Sequence, residues 1–119
     1  MMMFTDDHLE LIRAGTKTET RRDWSDEYHP PREGSIQMAT PASKGPFVSH
    51  EECSCYIRAR EVYQERLDTM TGVNFEREGG YSREEFVELW RTLHGEWNPS
   101  QQVTVVRFEY VGDKRPSER

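Results

Sequence analysis

The stretch Gly15-Thr16-Lys17-Thr18-Glu19-Thr20-Arg21-Arg22-Asp23 decides how this chain is read. Hydroxyl residues alternate with charged ones, and a glycine stands before the first cation. An ammonium, hydroxyls and guanidinium groups on one short segment suit an anionic or carbonyl-bearing ligand. A solvated edge strand has the same composition, because charged edges discourage strand-to-strand aggregation. The residues of this stretch leave both readings open.

Working outward, Thr5-Asp6-Asp7 is an N-cap cluster, with carboxylates favoured by the helix dipole. Leu9, Leu11 and Ile12 follow at helical spacing, and Gly15 stands where a glycine ends a helix. A short helix is therefore expected over residues 5–14, delivering Lys17 to a turn. Residues 17–24 read as a strand ending at Trp24. Strict alternation puts Thr18, Thr20 and Arg22 on one face and Lys17, Glu19 and Arg21 on the other. Lys17 and Thr20 then converge only if Lys17 sits in the turn before the strand, or a bulge re-aims it. Gly15 is close enough to favour the turn.

Met2-Met3-Phe4 is a first strand or a buried start. Ser25–Gly34, with Pro30 and Pro31, reads as a loop, and residues 35–40 as a strand with Ile36 and Met38 on one face. Pro41–Glu52 reads as a surface excursion, either a pocket cover or a solvated connector. Cys55–Tyr63 is the strongest strand. Cys55, Ile57 and Ala59 share one face; Tyr56, Arg58, Arg60 and Val62 share the other. Arg58 and its neighbours suit a phosphate and a stacked base, or pairing with surface acids. Thr71 caps a short helix running to about residue 78, ended by Gly79-Gly80. Ser82-Arg83-Glu84-Glu85 is a capping box, followed by a core stripe of Phe86, Leu89, Trp90 and Leu93. Gly95 and Pro99 end that helix, residues 102–110 form a last strand, and the charged residues 113–119 form a flexible tail.

At 119 residues, one domain over residues 1–112 is expected. Only 34% of residues are hydrophobic and 32% are charged, which fits one thin core under a charged skin. The net charge of −6 argues against coating long nucleic acid. No apolar run is long enough to span a membrane, and no signal peptide is legible, so the expected compartment is the cytoplasm. Cys53 and Cys55 point the same way on a strand, with His50 nearby, but a zinc site needs more ligands. A structural or incidental pair is expected, with no metal and no other cofactor. A monomer or small homo-oligomer is expected.

Gly15-Thr16-Lys17-Thr18-Glu19-Thr20-Arg21-Arg22 resembles the motif of the ASCH-domain family, small β-barrels related to the PUA RNA-binding domain. The family's commonest form is Gly-x-Lys-x-x-Glu-x-Arg, and this chain carries Thr20 at the glutamate position. It is similar to the Lys-Thr-x-Thr-x-Arg branch seen in bacterial N4-acetylcytidine amidohydrolases. The resemblance continues through Leu67-Asp68-Thr69-Met70-Thr71, the Glu78 region and the last strand, covering most of residues 4–111. It implies an α+β fold: a small PUA-like β-barrel with two to three flanking helices and a ligand cleft between barrel and helices. It also implies metal-independent amide hydrolysis by Lys17, Thr20 and Glu78, with Glu76 as the other candidate carboxylate. Thr20 or Lys17 would attack, and Glu78 would act as base or hold the lysine. Arg22, Thr18, Arg58 and Trp24 are the expected substrate contacts, with Arg22 orienting the ligand or pairing with Glu78. The expected partner is a small nucleoside or nucleotide. A non-catalytic RNA-binding or nucleotide-binding module and a ribonuclease are the alternatives. His8 and His94, near helix ends, suit capping or surface roles.

Overall fold

A computed structural model describes residues 1–24, 29–44 and 53–115. The elements run β1 (Met2–Phe4), α1 (Asp6–Arg13), β2 (Glu19–Arg22), β3 (Ile36–Pro41), β4 (Cys55–Arg66), α2 (Gly72–Gly79), α3 (Arg83–His94) and β5 (Gln102–Gly112). Short 3-10 turns follow β3 and β4, at Ala42–Lys44 and Leu67–Thr69. Part of the Ser25–Gly34 loop, most of the Pro41–Glu52 excursion, His50, and the end of the tail lie outside the described residues.

The five strands form one mixed sheet in the order β1-β3-β4-β5-β2. β1 runs parallel to β3, and the other pairings are antiparallel. The sheet curls into a half-barrel flanked by three helices, so the fold is α+β as expected. β1 and β2 are its two edges, and no ladder joins them among the described residues. Arg22 crosses that seam instead: Nη2 donates to the Met3 carbonyl at 2.7 Å, and the guanidinium lies 4.7 Å from the Phe4 ring centre. No helix is long and apolar enough to cross a membrane.

The helix signals act where the residues place them. The Thr5 hydroxyl accepts from the His8 amide, and Ser82 and Glu85 exchange side-chain and backbone hydrogen bonds. Asn74 accepts from the Thr71 amide at the start of α2. β2 is shorter than residues 17–24 because the amides of Thr16 and Lys17 both turn back to the Leu11 carbonyl. Lys17 therefore sits in the turn before the strand.

β5 separates two cores. Val106 and Phe108 join Met2, Phe4, Leu9, Ile12, Ala39, Cys55, Ile57 and Ala59 in the first. Val103 joins Leu67, Phe75, Phe86 and Trp90 in the second. The register of β4 on β5 shifts twice, between Tyr56 and Ile57 and between Ala59 and Glu61; at the second, Ala59 pairs with Phe108 and Glu61 with Arg107, leaving Arg60 as the extra residue of a bulge. The bulge turns Val62 onto the first core, not onto the face of Arg58 where strict alternation put it.

Candidate functional site

A cleft of about 330 Å³ opens beside the seam between β1 and β2. Its polar lining comes from Lys17, Thr20, Arg21, Arg22 and Glu78, with His8 from α1. α3 supplies an apolar wall of Phe86, Leu89, Trp90 and Leu93. That stripe was expected to be core alone. Phe86 and Trp90 are core, but the stripe runs outward to Leu93, 55% exposed, and all four residues face the cleft.

Lys17 is 2% exposed although it is a lysine. Its ammonium donates to the Glu19 carbonyl at 2.9 Å, the Glu78 carbonyl at 2.8 Å and Glu78 Oε2 at 3.1 Å. Three acceptors match its three N–H groups. Burial pushes its pKa below the usual lysine range, with Glu78 opposing that shift and Arg22 and Arg21 adding to it. α2 delivers Glu78 because the helix ends there: Gly80 adopts a left-handed conformation and closes the last turn on Glu76 and Phe75.

Glu78 Oε1 accepts from Arg21 Nη1 at 3.0 Å, so one carboxylate bridges Lys17 and Arg21. Arg21 also donates to Glu19 at 2.8 Å and to Glu65 at 2.5 Å. Burial works against its charge, but Glu78, Glu19 and Glu65 outweigh it and the pKa is raised. Glu19, fully buried, accepts in addition from Asn74 at 3.2 Å, Arg77 at 3.3 Å and Arg107 at 3.1 Å. The two buried carboxylates thus answer the two buried cations, and flanking arginines complete the network.

Thr20 lies on the other face of β2, nearly buried, and its hydroxyl oxygen accepts from Arg22 Nε at 3.1 Å. His8 Nε2 and Tyr81 Oη share a hydrogen bond of 2.7 Å. Burial, with Lys17 and Arg22 nearby, lowers the His8 pKa to about 4, Asp7 opposing. His94 also lines the cleft, stacked on Trp90 with ring centres 4.0 Å apart.

Compared with solved structures, the chain matches an ASCH domain from Lactobacillus crispatus JV V101 at TM-score 0.66 and 14% identity, covering 94% of this chain and 78% of that one. A protein of Enterococcus faecalis V583 described under the family model DUF984 matches at 0.64 and 16%, over 94% of this chain and 77% of that one. ASCH from Zymomonas mobilis matches at 0.61 and 12%, over 92% and 67%. The chain has the ASCH fold. No protein-family model and no curated protein matches its sequence.

On this ASCH fold, the residues named from sequence divide into two groups. Lys17, Thr20, Arg22 and Glu78 line the cleft together. Thr18, Trp24 and Arg58 do not. Thr18 spends its amide on the Arg77 carbonyl at 2.7 Å and its carbonyl on the Phe108 amide at 2.9 Å. Trp24 packs against the first core. Arg58 donates to the Gly34 carbonyl at 3.0 Å and pairs with Glu109 at 3.7 Å, the surface pairing that its composition also allowed. Arg21, not Arg22, pairs with Glu78, because Arg22 lies on the opposite face of β2 with Thr20. Glu76 is exposed, whereas Glu78 is buried against Lys17.

Sequence reasoning passed over His8, His94 and Arg21 as cleft residues. A signal existed for each. His8 lies four residues before Ile12, and His94 four after Trp90, so each stands one turn from a buried residue on the same side of its helix. Arg21 shares its strand face with Glu19. For Cys53 and Cys55, no cluster of three or more metal-ligating side chains occurs among the described residues.

Proposed function

We propose that the protein hydrolyses an N4-acylated cytosine nucleoside, N4-acetylcytidine or a close relative, with Thr20 as the nucleophile. The observation that carries this reading is that Thr20 and the buried Lys17–Glu78 pair line one cleft. Its volume of about 330 Å³ is at the small end of ligand pockets, suited to a nucleoside. The wall of Phe86 and Trp90 suits the flat face of a pyrimidine.

In the proposed reaction Lys17 first passes a proton to Glu78 Oε2 across their hydrogen bond. Burial favours this by lowering the lysine pKa. The neutral amine then takes the Thr20 proton as Oγ1 attacks the acyl carbonyl carbon. The tetrahedral intermediate collapses, the C–N bond breaks, and the departing cytosine nitrogen takes the proton held by Glu78. A water molecule attacks the resulting Thr20 ester. Its proton passes through the same pair, and the carboxylic acid leaves with Thr20 restored. One amide and one water give one acid and one amine.

The test is release of cytidine from N4-acetylcytidine, followed by chromatography. Thr20→Ala and Lys17→Ala should each lower turnover at least about a hundredfold per folded molecule. A folded wild-type protein that is inert on acetylated cytidines and related amides would sink the reading. Binding of cytidine without turnover would then favour a nucleotide-binding module.

A further inference from the structure

Attack on an acyl carbonyl puts negative charge on its oxygen, and a hydrolytic site needs a donor aimed there. The evident cations of the cleft are engaged. Lys17 gives its three N–H groups to Glu19 and Glu78. Arg21 directs Nη1 at Glu19 and Glu78 and Nη2 at Glu65. Arg22 directs Nε at Thr20 and Nη2 at the Met3 carbonyl.

His8 is differently placed. It lines the same cleft, and Nε2 is taken by Tyr81 Oη at 2.7 Å. Among the described residues Nδ1 has no hydrogen-bond partner, and it is not among the buried atoms sealed without one. A phenol is a far stronger acid than a neutral imidazole N–H. With Tyr81 donating to Nε2, the ring's single proton stands on Nδ1.

We propose that His8, its tautomer fixed by Tyr81, is the oxyanion donor of this cleft, its Nδ1–H taking the acyl carbonyl oxygen of the substrate. This assignment rests on the hydrolase reading above. A neutral imidazole can polarise a carbonyl without giving up a proton. The surroundings of the ring favour the neutral form: burial disfavours its charge first, Lys17 and Arg22 disfavour a third positive charge, Asp7 on the same helix opposes them, and Tyr81 caps Nε2.

The fold builds this pair alongside the first. The turn Glu78-Gly79-Gly80-Tyr81 carries Glu78 to Lys17 at one end and Tyr81 to His8 at the other. The Tyr81 ring is seated against Phe86, centres 6.2 Å apart. It also occupies the space a side chain at Gly79 would need, 2.9 Å from an added Cβ.

The experiment has two arms on the full chain. Protein carrying ¹⁵N-histidine should show the neutral Nδ1–H tautomer of His8 near neutral pH, and Tyr81→Phe should relax it to a mixture. In turnover of N4-acetylcytidine, His8→Ala should lower kcat about 10²–10³-fold, the size of a lost oxyanion donor. KM should move less than about threefold. His8→Gln, which keeps an N–H donor, should recover part of the loss. An Nε2–H tautomer in the wild type overturns the assignment. So does a His8→Ala enzyme of wild-type kcat, or one impaired only in KM; either leaves the hydrolase reading standing. An inert wild type sinks that reading and this assignment with it.

Discussion

Lys17 Nζ lies 3.1 Å from Glu78 Oε2, and neither side chain is more than 4% exposed. Arg21 holds the other carboxylate oxygen at 3.0 Å. Such a pair adds little net stability, because each ion has lost its water. Breaking it by removing one partner is costly, since a charge is left buried alone.

Glu78→Gln should therefore destabilise the fold by about 3–5 kcal/mol, because Lys17 loses its carboxylate partner and Arg21 one of its three. Glu76→Gln, two residues away and exposed, should change stability by no more than about 0.5 kcal/mol. Urea denaturation of the two variants beside the wild type measures the difference. Equal midpoints would show that the Lys17–Glu78 pair is not closed off as described.

Much of this architecture is legible in the residues. The caps at Thr5, Thr71 and Ser82 mark three helix starts, and Gly80 and Gly95 mark two ends. Alternation in β2 correctly joins Glu19 and Arg21. What alternation cannot supply is the partner surface. A face of alternating charges reads as solvent-facing until Asn74, Arg77 and Glu78 of α2 are seen to cover it. That is why Arg21 escaped notice and Arg22 was a candidate partner of Glu78. Arg58 shows the reverse failure. Its strand face looked functional, but the bulge at Arg60 and the pairing of both arginines with Glu109 are long-range facts.

His8 makes acid stability a direct probe of the cleft. Its folded pKa of about 4 lies below the ordinary 6.5. Between those values the unfolded chain binds a proton that the folded chain does not. The contribution is therefore whole above about 6.5 and is lost as pH falls toward about 4. Urea midpoints measured from neutral pH down to the start of carboxylate titration should fall for the wild type and fall less for His8→Gln. Parallel curves would mean that the folded ring protonates at its ordinary pH.

Gly79 ties the two polar pairs of the cleft together, and its substitution separates space from backbone. Its φ is +156°, and an added Cβ would lie 2.9 Å from Tyr81 Cε2 and 3.1 Å from Leu11 Cδ1. Tyr81 cannot give way freely, because its ring packs on Phe86 and its hydroxyl is bonded to His8. Gly80 is the natural control. It is also left-handed, at φ +80°, but a Cβ there would meet only Thr16 Cγ2 at an ordinary 3.7 Å. Gly80→Ala should cost about 1–2 kcal/mol through the backbone alone. Gly79→Ala should add about 1–3 kcal/mol of overpacking to its own backbone cost. It should also displace Tyr81 from His8, visible as loss of the fixed His8 tautomer by ¹⁵N NMR, while Gly80→Ala leaves that tautomer intact. If the two alanine variants proved alike in stability and in the His8 signal, the close packing of Gly79 against Tyr81 would be refuted.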